Sequence, residues 1–108
     1  MANEGIDLSI AVENGKPSVL EFYSRECPHC VQTAKSLYSV EHKHVNDINW
    51  VMIDTQDSTY QLLWQSLGVH EIPHFAFLDK DENLKATAIG VIDVATAEHG
   101  IALASSSS

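Results

Sequence analysis

Cys27 and Cys30, in the segment Cys27-Pro28-His29-Cys30, are the residues of this 108-residue chain best suited to covalent chemistry. A thiolate attacks the sulfur of a disulfide, and a second thiol within reach releases the mixed disulfide that forms. Two intervening residues put the second sulfur within reach of the first while the chain stays helical. These are the only two cysteines, so no long-range structural disulfide can form. The spacing leaves redox exchange or half of a metal site. A zinc site needs about four ligands. The histidines at 42, 44, 70, 74 and 99 show no second cluster with ligand spacing. No metal is expected.

The surroundings of the pair add three candidates. His29, protonated or donating a hydrogen bond, would favour the Cys27 thiolate. A stabilised thiolate stabilises the dithiol and makes the disulfide a stronger oxidant. Glu21 interrupts the apolar run Ser18-Val19-Leu20-Glu21-Phe22-Tyr23. A buried carboxylate costs several kcal/mol unless paired or protonated, on the order of the desolvation penalty of a charge. Burial would raise its proton affinity. There it can take or give the proton of Cys30, directly or through water. The alternative is a carboxylate that turns outward at a sheet edge. Pro73 opens a third apolar run and stands either at a strand edge in trans or in a cis bond.

The elements that must position these residues follow from the apolar pattern. Asn14-Gly15-Lys16-Pro17 reads as a turn. Residues 5–13 are open to a short helix or an extended arm. Ser18–Tyr23 reads as a strand buried on both faces. The cysteine motif follows, with Cys27 at or just before the first turn of a helix of about 15 residues. Pro28 suits the first helical position, where its missing N–H costs nothing. The first turn of a helix offers unpaired N–H groups and partial positive charge, both favourable to a thiolate. The apolar face is expected from Val31, Ala34, Leu37, Tyr38 and Val45. Ile48–Ile53 reads as a second strand. Asp57 or Ser58 caps a helix carrying Tyr60, Leu63, Trp64 and Leu67, ended by Gly68. His74–Leu78 is a third strand, Asp79–Asn83 a polar hairpin turn, and Leu84–Ile92 a fourth strand with Gly90 inside it. Asp93 caps a last helix to about Leu103, weakened by Gly100. Trp50 and Trp64 read as core. The order is β-α-β-α, then β-β-α: parallel pairing first, antiparallel pairing after.

Six basic and fifteen acidic residues give a formal net charge of −9. That excludes a phosphate backbone as the expected partner, because nucleic-acid binding rests on Lys and Arg. It favours a basic or neutral protein partner. No apolar run approaches the roughly 20 residues that span a bilayer. Met1-Ala2-Asn3-Glu4-Gly5 does not read as a secretory leader. Residues 1–104 are expected to form one domain, with Ser105–Ser108 a low-complexity tail without structure.

Val19–Cys30, followed some 40 residues later by Glu71-Ile72-Pro73-His74-Phe75, resembles the thioredoxin superfamily. The likeness covers about residues 16–103. The stretch Gly68–Asp79 is similar to membrane-anchored thioredoxin-like proteins of cyanobacteria and chloroplast thylakoids, the TxlA type. Pro28-His29 is similar instead to DsbA-type oxidases, and Glu26 stands where most thioredoxins carry Trp. The resemblance implies an α/β thioredoxin fold, a central mixed sheet of about four strands flanked by helices on both faces. It implies that Cys27 attacks, Cys30 resolves, Glu21 is the buried acid, and Pro73 is the cis proline beside the disulfide. Ile72 would then offer its backbone to an extended substrate strand. The implied activity is dithiol–disulfide exchange with protein substrates and a thiol electron donor or acceptor protein. It uses no cofactor beyond the redox-active disulfide. The implied place is a membrane-tethered domain facing the thylakoid lumen or periplasm, with the cytoplasm as the alternative; a monomer is expected. Its direction, reductive or oxidative, stays open. The rival reading is a redox-inactive binding or metal-carrying module on the same fold.

Overall fold

Ser18–Tyr23 forms β1, and all six of its residues are buried. A strand buried on both faces belongs at the centre of a sheet. A computed structural model describes residues 13–106 of the chain. In it β1 pairs in parallel with β2 (Asn49–Asp54) and antiparallel with β3 (His74–Leu78), which pairs antiparallel with β4 (Leu84–Ile89). The mixed sheet runs β2-β1-β3-β4. The parallel β1–β2 pair demands a crossover, and helix α1 (Pro28–Lys43) supplies it. A 3₁₀ turn at Ser58–Tyr60 leads into the short helix α2 (Gln61–Ser66). Helix α3 (Val94–Ser105) closes the described chain. The expectation for residues 5–13 falls, apart from Glu13, outside the described residues.

The two sheet faces carry separate apolar clusters. Val19, Trp50, Phe75 and Phe77 meet Leu37 and Val40 of α1 and Ala97, Ile101 and Ala104 of α3. Leu20, Phe22, Val51, Ile53 and Ala76 meet Tyr60, Leu63, Trp64 and Leu67 around α2. Helices thus flank both faces, as expected for the thioredoxin fold. Side chains alternate across a strand, so Glu21 shares the α1/α3 face with Val19.

Local chemistry sets the boundaries. Asp57 accepts from Thr59 N–H at 3.0 Å and opens the 3₁₀ turn. Asp93 accepts from Thr96 N–H at 2.8 Å and caps α3, which runs to Ser105 with Ser106 at its C-cap. Two expectations need correction. The buried face of α1 is Cys30, Thr33, Leu37 and Val40, whereas Val31, Tyr38 and Val45 are exposed. The inward turn of Cys30 sets the phase of the helix and turns Val31 and Tyr38 outward, while Val45 lies beyond the C-cap His44. Strand β4 ends at Ile89, because Gly90 adopts φ +90°, outside the strand region. Gly100 has a packing reason: a Cβ there would lie 2.6 Å from ring atoms of Phe77.

Candidate active site

The site forms where β1 ends and α1 begins. Cys27 is the N-cap of α1, in extended conformation (φ −95°, ψ 107°), and Pro28 begins the helix. Cys27 Sγ accepts the backbone N–H of Cys30 at 3.2 Å. An N-cap side chain ordinarily takes such an N–H with oxygen; here sulfur does so for one of the orphan donors of the first turn. Cys27 is half-buried, Cys30 fully buried, and both are free thiols. Across the site the Cys27 thiol points at the carbonyl of Ile72, 3.9 Å away. The Ile72–Pro73 peptide bond is cis. Pro73 is buried, and its carbonyl accepts from Gly90 N–H at 2.8 Å, which ties the loop to the end of β4.

The two sulfurs are held differently. Burial pushes the Cys30 thiol up to about 12, and its hydrogen bond to Cys27 pushes the same way. A backbone hydrogen bond from Ser24 opposes them, and negative charge at Cys27 and Glu21 raises the thiol further. Cys30 therefore keeps its proton unless a base removes it. Cys27 is the sulfur that solvent and a substrate can reach.

Glu21 is 2% exposed, which rules out the outward-turned alternative. Its Oε1 accepts from the indole Nε1–H of Trp50 at 2.9 Å. Its negative charge raises the Cys30 thiol, as the smallest of the influences on that group. His29 is exposed, and its carbonyl accepts from Thr33 Oγ1 at 2.8 Å. Cys27, Cys30, Pro28, Ile72 and Pro73 thus converge on one end of the sheet, Glu21 lies below them, and His29 stands at the rim.

The sequence reading took Trp50 only as core. Val19 faces Trp50 in the register of β1 with β2, and Glu21 is two residues further along the same face. Alternation along the strands could have put the indole near the carboxylate, but only once the register was known. His74, next to Pro73, was also missed as a buried group. It is 3% exposed, its ring packs edge-on against Phe22, and burial lowers its proton affinity, helped by His70. Ile72 also lines an open cleft of about 260 Å³ with Thr55, Trp64, Val69 and His70. Among the described residues no group of three or more His, Cys, Asp or Glu is placed to hold a metal ion. No described helix is long and apolar enough to cross a membrane.

The thioredoxin family model matches residues 6–99. The chain belongs to the thioredoxin family. This thioredoxin domain is 39% identical over 80 residues to the chloroplastic thioredoxin-like protein HCF164 of Oryza sativa subsp. japonica, a match covering 74% of this chain and 30% of that one. It is 29% identical over 89 residues to a thiol:disulfide interchange protein TxlA homolog of Synechocystis, covering 82% and 49%. The chain spans between a third and a half, or less, of the curated relatives it matches. Among solved structures, the Drosophila thioredoxin Deadhead superposes with a TM-score of 0.75 at 22% identity, covering 88% of each chain. A Thermus thermophilus thioredoxin gives 0.72 at 20% identity, covering 85% and 75%. Those two likenesses show the fold. The Cys27/Cys30 pair of this thioredoxin domain stands within the residues the family model matches.

Proposed function

We propose that the domain exchanges dithiol and disulfide with protein substrates, Cys27 attacking and Cys30 resolving. One observation carries this reading. Cys27 Sγ sits half-exposed at a helix N-cap, bonded to Cys30 N–H at 3.2 Å, while the buried Cys30 thiol is held up to about 12. In the reducing direction Cys27 thiolate forms a bond to one substrate sulfur, and the other leaves as thiolate. Cys30 then gives its proton to Glu21, and its thiolate attacks Cys27 Sγ. The second substrate thiolate leaves, two electrons have passed to the substrate, and Cys27–Cys30 is a disulfide. A thiol protein restores the dithiol, so the disulfide itself is the only redox carrier the cycle uses.

The remaining residues have supporting roles. Pro28 sets the first turn that caps on Cys27. His29, at the rim, would donate to the Cys27 thiolate and lean the couple toward oxidation. Ile72, aimed at Cys27 by its carbonyl, would pair with an extended substrate strand, and cis Pro73 fixes that edge. The names of the relatives, chloroplastic and cyanobacterial, support a place at a thylakoid-related membrane, with the domain facing the lumen or periplasm. We take residues 1–104 as one domain acting as a monomer.

Cys27→Ser is expected to abolish disulfide reduction in an insulin assay, and Cys30→Ser to accumulate a mixed disulfide with substrate. Unchanged turnover in Cys27→Ser would establish the redox-inactive module instead. The equilibrium reduction potential against glutathione fixes the direction. A value near the thioredoxin range of about −270 mV makes the domain a reductase, and one near about −120 mV an oxidase.

A further inference from the structure

We propose that Trp50 is a positioning residue for the exchange reaction: its indole N–H, 2.9 Å from Glu21 Oε1, orients the carboxylate that serves the Cys30 thiol. This rests on the reading of Glu21 as the proton acceptor for Cys30. Trp50 is itself 5% exposed and packed in the α1/α3 cluster, so its ring cannot swing away. The indole nitrogen is a donor only. It can bond an ionised carboxylate oxygen but cannot accept from a protonated one. It therefore favours the anion, which is the form that takes a proton, and opposes the desolvation that would neutralise Glu21. The bond restrains that oxygen and so limits the orientations the carboxylate can take.

On the α1/α3 face β1 itself presents Val19 and the buried Tyr23 on either side of Glu21. On this face β2 presents Trp50 and Met52, β3 presents Phe75 and Phe77, and β4 presents Ala86 and Ala88. Helix α3 presents Ala97, Ile101 and Ala104. Helix α1 supplies the titratable pair, Cys30 and behind it Cys27. At the far end of α1, Lys43 and His44 both bond Glu98 of α3. The Glu21→Gln background decides whether a change in the pH dependence of Cys30 reactivity on altering Trp50 acts through Glu21.

The test uses the reduced protein and dithiobis-nitrobenzoate, which separates the two sulfur steps. In the first phase Cys27 attacks and one nitrothiobenzoate leaves. In the second, Cys30 loses its proton, attacks Cys27 Sγ and expels the other; the dithiol loses two electrons and the reagent gains them. Trp50→Phe is expected to leave the first phase unchanged and move the pH midpoint of the second upward by about one unit, the size of a hydrogen bond to a charged group. Benzothienyl-alanine at position 50 keeps the bicyclic shape and deletes only the N–H, and it is expected to give the same shift where Trp50→Phe folds poorly. In Glu21→Gln the second phase is expected to lose this midpoint, and adding Trp50→Phe to change nothing more. If Glu21→Gln moves the profile and neither position-50 variant does, the Trp50 proposal is wrong and the Glu21 reading stands. If Glu21→Gln leaves the profile intact, both fall. A slowing independent of pH, or equal in the two phases, also overturns the proposal.

Discussion

On the α1/α3 face of the sheet, Glu21 is 2% exposed and takes an indole hydrogen bond at 2.9 Å. On the opposite face His74 is 3% exposed, packs edge-on against Phe22, and has no hydrogen-bond partner on either ring nitrogen among the described residues. The strands that bury the two are adjacent, and Phe22 and His74 face each other in register. The difference lies in how each group's polarity is met. A buried polar group without a partner costs about 1–3 kcal/mol. Glu21 meets that cost with a partner that favours its charge, and so can sit under Cys30 as a base. His74 meets it by staying neutral, with burial lowering its proton affinity. On the function proposed above, one buried group exchanges a proton during the reaction and the other does not.

The largest effect should come from removing the first group. Glu21→Leu is expected to slow resolution by Cys30 at least about a hundredfold, the lower range for a positioned acid–base group. Attack by Cys27 should be unchanged, and stopped-flow thiol release separates the two. Its effect on the melting temperature should be small, because removing a desolvated carboxylate offsets the Trp50 indole N–H left without its acceptor. Glu21→Leu with Trp50→Phe, which removes both partners, should melt no lower than Trp50→Phe alone. The next effect tests packing on the same face. A Cβ on Gly100 would meet the Phe77 ring at 2.6 Å. Gly100→Ala should therefore destabilise by about 1–3 kcal/mol through overpacking, against a gain of about 1 kcal/mol in helix propensity. Urea denaturation reads the sum. A stabilised Gly100→Ala would show that α3 can shift away from the sheet.

What the sequence made legible divides along the same lines. Ser18–Tyr23 and His74–Leu78 could be read as strands because buried strands need nearly continuous apolar runs, and Cys27-Pro28 because a cap and a proline mark a helix start. Glu21 stood out because a carboxylate in such a run has to be explained. The outward turn of Val31 and Tyr38 was not legible: α1 carries more apolar residues than one face holds, and the inward turn of Cys30 decides between them. Val45 was not legible because the helix ends before it, at Lys43. Trp50 was hidden for a different reason. Its apolar body fits any core, and only the β1–β2 register shows what its N–H meets. His74 sits in a strand where alternation permits either face, so its burial depends on the order β2-β1-β3-β4, which puts β3 inside the sheet.

The smaller effects concern His74. His74→Phe keeps a ring against Phe22 and removes two buried nitrogens, so it should stabilise the fold by about 1 kcal/mol and leave both thiol-exchange phases unchanged. Its sharper signature is in pH. The folded proton affinity of His74 lies below the ordinary value of 6.5, so the unfolded chain binds a proton first as pH falls. The stability that depends on neutral His74 is thus complete above about 6.5. It is lost on acidification by at most about 1.4 kcal/mol per pH unit, until the folded form also protonates. Glu98, held below its usual 4.5 by Lys43 and His44, loses its contribution only below that value. The two losses occupy different windows. Between about pH 6.5 and 4.5 the difference in stability between the parent and His74→Phe should widen as pH falls, and Glu98→Gln should not change it. A constant difference across that range would mean that His74 finds a partner for its proton in the fold. The contrast between the two faces would then disappear.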